Sequence, residues 1–224
     1  MQLSRELAAK VLQTVDAGLV SGVGNPVPGQ MCVEAAVCYA LGQPHGDEPK
    51  CVGSAVRRFK IRLNDSCWPS DQARTTGMRK LAIAQLGSDT IDQSAFAKIV
   101  VRETIRRILP ITLRECGKHN PKFADRLEAM AALCESHPDR DTAYKAKALA
   151  FEVRKDAYAA AYAYAAAAAD ADAAEDTAAY AYAYAAADVR LKILQTCADI
   201  GLQALIELKS PGCEWLDLCE AETA

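Results

Sequence analysis

Apolar residues recur along most of this chain at intervals of three and four, the spacing that gathers them on one face of an α-helix. Leu7, Val11, Leu12 and Val15 follow it and predict a first helix over residues 4–16. Gly18 opens a loop in which Gly22, Gly24, Pro26, Pro28 and Gly29 leave no room for regular structure. A second helix is predicted over residues 31–41, with Gly42 as its left-handed stop, and a third over residues 53–63. Ser70 reads as the N-cap of a fourth helix that ends at Leu86, before Gly87. Ser94 starts a fifth, which Pro110 ends. Asn120 and Pro121 read as a cap followed by proline in the first helical position. The helix they open carries Phe123, Leu127, Met130 and Leu133 on one face and stops before Pro138. No segment alternates with period two, so the expected class is all-α.

From residue 141 to residue 209 there is no proline and only one glycine, Gly201. A single helix of that length would extend on the order of 100 Å at about 1.5 Å per residue. Bulky apolar residues lie at both ends of the stretch. Tyr144, Leu149, Phe151 and Val153 stand at the first, and Leu191, Leu194, Leu202 and Leu205 at the last. All of them call for burial. The middle is alanine and tyrosine, nearly mirror-symmetric about Asp172, so that Tyr164 reflects onto Tyr180 and Tyr162 onto Tyr182. Two arrangements meet these demands, a long helical hairpin turning within residues 170–177 or one long self-associating helix. The expected organisation is therefore a compact helical body (1–140), an arm whose ends pack on it (141–209), and a C-terminal cap and tail (210–224). Tyr162 and Tyr182 would lie near the centre of a dimer formed through the arm, because tyrosine adds contact area that alanine lacks.

Half of the residues are apolar, yet only 6% are aromatic, which favours close helix packing over a core of large side chains. The N-terminal residues lack the basic and apolar regions of a signal peptide, and no apolar run approaches the roughly 20 residues that span a bilayer. Nine cysteines, an odd number scattered through helical patterns, read as reduced thiols rather than a disulfide framework. These features predict a cytoplasmic protein without a membrane partner.

Net charge is −3, but its sign is segregated. Residues 50–126 carry sixteen Lys/Arg against seven Asp/Glu, and residues 127–224 carry eight against seventeen. The basic side chains come in runs: Arg57, Arg58, Lys60 and Arg62, then Arg74, Arg79 and Lys80, then Lys98, Arg102 and Arg106. Stacked cations of this kind neutralise phosphates, so Arg57, Arg58, Arg62, Lys98, Arg102 and Arg106 are candidates for binding nucleic acid or another anionic partner. A solvated helix face that meets acidic helices accounts for the same pattern, and no aromatic interleaving accompanies it.

Catalytic motifs are sparse. Cys32 falls in the first turn of a helix that follows a glycine-rich loop, a position that favours thiolate, and His45 is the nearest candidate base. Together they define a hypothetical cysteine hydrolase or transferase, but the expected role of Cys32 is that of a small, buried, unreactive core residue. Cys32, Cys38, His45 and Cys51 stand five to six residues apart, wider than the short pairs of structural zinc sites, so no metal site is assigned. Phosphate-cradling glycine loops, HExxH and nucleophile-elbow patterns are missing, and no cofactor is expected.

The Cys32, Glu34, Ala35, Ala36 pattern leading to Leu41 and Gly42 is followed by Arg62, Leu63, Asn64, Asp65, Arg74 and the run from Leu81 to Gly87. This succession resembles uncharacterised proteins of phages and actinobacteria that carry an alanine-rich spacer. The resemblance implies a phage or prophage context and no activity. A non-enzymatic interaction or regulatory protein, such as a phage-encoded modulator of a host complex, is the expected function.

Overall fold

A computed structural model of the chain describes residues 3–156 and 187–220. Among these residues the protein is all-helical, with nine α-helices joined by short 3-10 and π segments. No strand is present among them, and extended pairing is limited to two isolated bridges, Leu19 with Met31 and Gly24 with Met31. No described helix is long and apolar enough to cross a membrane. The predicted hairpin turn and Tyr162 and Tyr182 lie outside the described residues.

The chain divides into two compact units, one formed by Met1–Phe96 with Gly201–Ala224 and the other by Ala97–Ile200. The first unit contains α1 (Arg5–Asp16), α2 (Val33–Ala40), α3 (Ser54–Asp65) and α4 (Asp71–Ala84). Serine side chains cap two of these, Ser4 accepting from the amide of Leu7 and Ser70 from that of Ala73. The apolar stripe of α1, Ala8, Val11, Leu12 and Val15, is buried against α2 and α4. Trp68 turns back under α3, its indole N–H donating to the carbonyl of Leu63. Its ring lies where a Cβ on Gly77 would stand, 2.3 Å from that position, which explains a glycine in the middle of α4. The C-terminal 3-10 segment, Pro211–Cys219, is tied to this unit by Gly212 N–H to the Leu86 carbonyl and by a two-point ion pair from Arg5 to Asp217.

The second unit is built from the end of α5 (Gln93–Glu103), α6 (Leu109–His119), α7 (Ala124–Ser136), α8 (Arg140–Asp156) and the first part of α9 (Ala187–Glu207). Its core joins Ile105, Leu109, Leu113 and Cys116 to Phe123, Leu127 and Ala131, and these to Ala146, Leu149 and Val153. On its surface Arg114 of α6 holds both Glu128 and Glu135 of α7, and Arg126 holds Glu152 of α8.

Four sequence expectations are corrected here. Pro110 does not end a helix: α5 continues through a π-helical stretch, Thr104–Ile108, into α6, with Pro110 as the second residue of α6. A π turn pairs a carbonyl with the amide five residues on, so the carbonyl at position 106 does not need the N–H that proline lacks. Asp92, not Ser94, caps α5, accepting from the amides of Ser94 and Ala95. Asn120 makes no capping bond; its side-chain amide turns back to the carbonyl of Cys116, and Pro121–Phe123 forms a 3-10 turn before α7. Tyr144 and Phe151 are 43% and 42% exposed on α8, where Arg140 and Lys147 cover their rings.

Candidate functional site

Between α1 and α2 lie sixteen consecutive residues without a charge, from Ala17 to Cys32. Such a stretch of glycine, proline and valine would be loose if left to water, but here it is bonded along its length. Leu19 N–H donates to the hydroxyl of Thr75 and Val20 N–H to the carbonyl of Met31. Gly22 N–H donates to Asp65 Oδ1 at 2.7 Å, and Cys32 N–H to the carbonyl of Val23. At the tip, Asn25 and Gln30 pair through backbone and side chains, and Gln30 N–H closes a turn on Val27. Pro28 and Gly29 are the two central residues of that turn, with Gly29 at φ +86°, the sequence a type II turn requires. Val23 and Val27 consequently stand out from a fixed backbone, 37% and 47% exposed.

The fastening is organised by Asn64, which is fully buried at the end of α3. Its Oδ1 accepts from Val33 N–H, while its Nδ2 donates to the carbonyl of Val20 at 2.9 Å and to Asp65 Oδ1. Arg74 reaches from α4 to donate to the carbonyl of Asn64 at 2.8 Å and is itself held by Asp71. The start of the loop, at Val20, and the N-terminus of α2, at Val33, are thus bonded to one amide side chain. Asn64, Asp65 and Arg74 serve this purpose.

Cys32 is the N-cap of α2, and its sulfur accepts from the amide of Ala35 at 3.3 Å. Two backbone amides favour the thiolate, but burial outweighs them and pushes the thiol up to about 11. The helix N-terminus therefore does not activate this thiol, because it helps only where the anion is also solvated. His45 is exposed and its Nε2 lies 3.0 Å from the carbonyl of Gly24, so its ring is engaged by the loop backbone. All nine cysteines are free thiols, and burial also raises Cys38 to about 11 and Cys51 above its ordinary value. Among the described residues no three His, Cys, Asp or Glu side chains form a metal-binding group.

Beneath α2 lies a feature that residue spacing alone did not single out. Glu34 and Lys60 are both completely buried, with Lys60 Nζ 3.3 Å from Glu34 Oε1. Burial drives the Glu34 carboxyl up and the Lys60 ammonium down, and each partner pulls the other back toward its charged form. Gln85, also fully buried, gives the carboxylate further support. The sequence places Lys60 in a basic run, but the structure buries it and removes it from any solvated basic face. It shares its side of α3 with Val56, Phe59, Leu63 and Asn64, all buried at helical spacing. Glu34 likewise sits within an apolar run. A charge on each of two apolar faces is the signal that would have found the pair.

The proposed anion-binding residues are distributed between the units. Arg57, Arg58 and Arg62 belong to the first, with Arg57 paired to Glu48. Lys98, Arg102 and Arg106 belong to the second, where Arg102 and Arg106 both meet Glu103 and Lys98 is exposed. No family model, curated protein or solved structure matches this chain.

Proposed function

We propose that this chain is a non-enzymatic protein-interaction protein, and that it presents the loop between α1 and α2 to an apolar site on a protein partner. The supporting observation is the contrast within that loop: sixteen uncharged residues, Val23 and Val27 exposed, and a backbone bonded from both sides. A loop that exists only to connect two helices has no need of so many anchors. Apolar side chains held in a fixed geometry lose little conformational freedom on docking, and this preorganisation favours affinity. The uncharged surface suits a cleft without strong charge, since a charged residue left unpaired at an interface would oppose binding.

The cysteine-enzyme reading draws less support, because Cys32 is a buried, protonated capping residue and His45 is bound to the loop backbone. A polyanion-binding face also draws less, since Arg57, Arg102 and Arg106 are engaged by carboxylates of their own chain.

The test uses the full chain, produced in its native host with a photo-crosslinking residue at position 27, alongside a V23D/V27D variant. We expect one protein to crosslink at position 27 and the same protein to be lost from affinity purifications of the variant, with its circular dichroism unchanged. Equal recovery of partners by wild type and variant would overturn the assignment.

A further inference from the structure

Glu34, Lys60 and Gln85 come from α2, α3 and the end of α4, and all three side chains are fully buried. Four of their polar atoms, both carboxylate oxygens of Glu34, Nζ of Lys60 and Oε1 of Gln85, have no hydrogen bond of ordinary geometry to another protein group. The ion pair at 3.3 Å is longer than the roughly 2.8 Å of a direct charge-assisted bond. Gln85 Nε2 makes a long contact with the carbonyl of Ala82, 3.5 Å away, and the support that Gln85 lends the Glu34 carboxylate falls short of an ordinary hydrogen bond. Leaving a buried polar atom unpaired costs about 1–3 kcal/mol, and more when it is charged, so four in one place demand a common solution.

We infer that this cluster binds an internal water molecule that bridges Lys60, Glu34 and Gln85. The donor and acceptor inventory matches such a ligand. An ammonium offers three donors, of which Glu34 Oε1 takes at most one. The water accepts a second from Lys60 and donates its two protons to Glu34 Oε2 and Gln85 Oε1. It makes three bonds, the usual number for buried water. A cation would be repelled by Lys60 and an anion by Glu34, which leaves a neutral molecule with both donors and acceptors. The site is independent of the loop assignment, because Val23 and Val27 take no part in it.

A crystal structure of the full chain at a resolution that orders solvent, combined with magnetic relaxation dispersion of oxygen-17 water, tests this. The expected result is a solvent peak within hydrogen-bonding distance of Lys60 Nζ, Glu34 Oε2 and Gln85 Oε1. Dispersion should report a long-lived water that is lost in the E34L/K60M variant. Direct bonds among the three side chains with no solvent between them would overturn the inference. So would a dispersion amplitude that the folded double variant leaves unchanged. If the variant does not fold, the wild-type crystal structure decides alone.

Discussion

Replacing Lys60 with methionine removes a cation that the fold buries completely while leaving its partner, Glu34, in place. The stem length is nearly conserved, so the change is chiefly electrostatic. At 3.3 Å and an effective dielectric of about 20, the attraction between the two charges is worth roughly 5 kcal/mol. The desolvation penalty for two ions, several kcal/mol each, cancels most of that gain, so the pair contributes little net stability. Removing one partner abolishes the attraction but leaves the other partner's penalty. The expected loss for Lys60→Met is about 3–5 kcal/mol. Removing both charges in E34L/K60M removes both penalties, and the double variant should fall within about 1 kcal/mol of wild type or exceed it.

Urea denaturation of the three proteins at neutral pH reads these differences. The single variant carries a second signature. Without Lys60, burial holds the Glu34 carboxyl above its unfolded value of about 4.3. A group raised in the folded state contributes stability that is full below its unfolded pKa and is lost as pH rises through its folded pKa. The deficit of Lys60→Met relative to wild type should therefore narrow as pH falls toward about 4. A single variant that loses less than about 1 kcal/mol, or a double variant as unstable as the single, would refute the reasoning.

Gly24 has φ +70°, and a Cβ there would stand 1.9 Å from the carbonyl oxygen of Gln30, so Gly24→Ala should rearrange the loop while helical content is preserved. Wild-type amide shifts for residues 20–31 in the variant would contradict this, and the proposed partner should be lost along with the loop geometry. At high pH, stability should decline through thiol linkage. Burial raises Cys32, Cys38 and Cys134 to about 11 and Cys197 to about 12, so each contribution is full below the unfolded thiol value of about 8.5 and is lost as pH rises through the folded value. The slope is up to about 1.4 kcal/mol per pH unit for each thiol, seen as falling urea midpoints in reductant up to about pH 10, and a flat profile would refute it. The same burial makes exposed Cys67 the first thiol to react with iodoacetamide in the native protein, with Cys32 modified only on unfolding.

Helical class is legible in this chain because periodicity is a local property, and α1 to α4 appear close to where spacing and caps place them. What fails is whatever depends on a neighbour. Pro110 reads as a stop when considered alone, and only the π turn before it lets the helix continue. Lys60 reads as one more cation between Arg58 and Arg62 because charge runs are counted along the chain. Burial is set by angle around the helix, and position 60 falls on the stripe of Phe59 and Leu63. Cys32 shows the same limit in chemical form. Its place at a helix N-terminus follows from the sequence, but the sign of its pKa shift depends on how much water reaches the sulfur, and burial raises it. The loop is the sharpest instance. Its glycines and prolines announce irregular structure, which composition equates with looseness. Order comes instead from Asn64 and Asp65, more than thirty residues downstream, whose side chains bond Val20, Gly22 and Val33. A breaker-rich segment can thus be as fixed as a helix when distant polar side chains satisfy its backbone, and the exposed valines on such a segment are held in place with it.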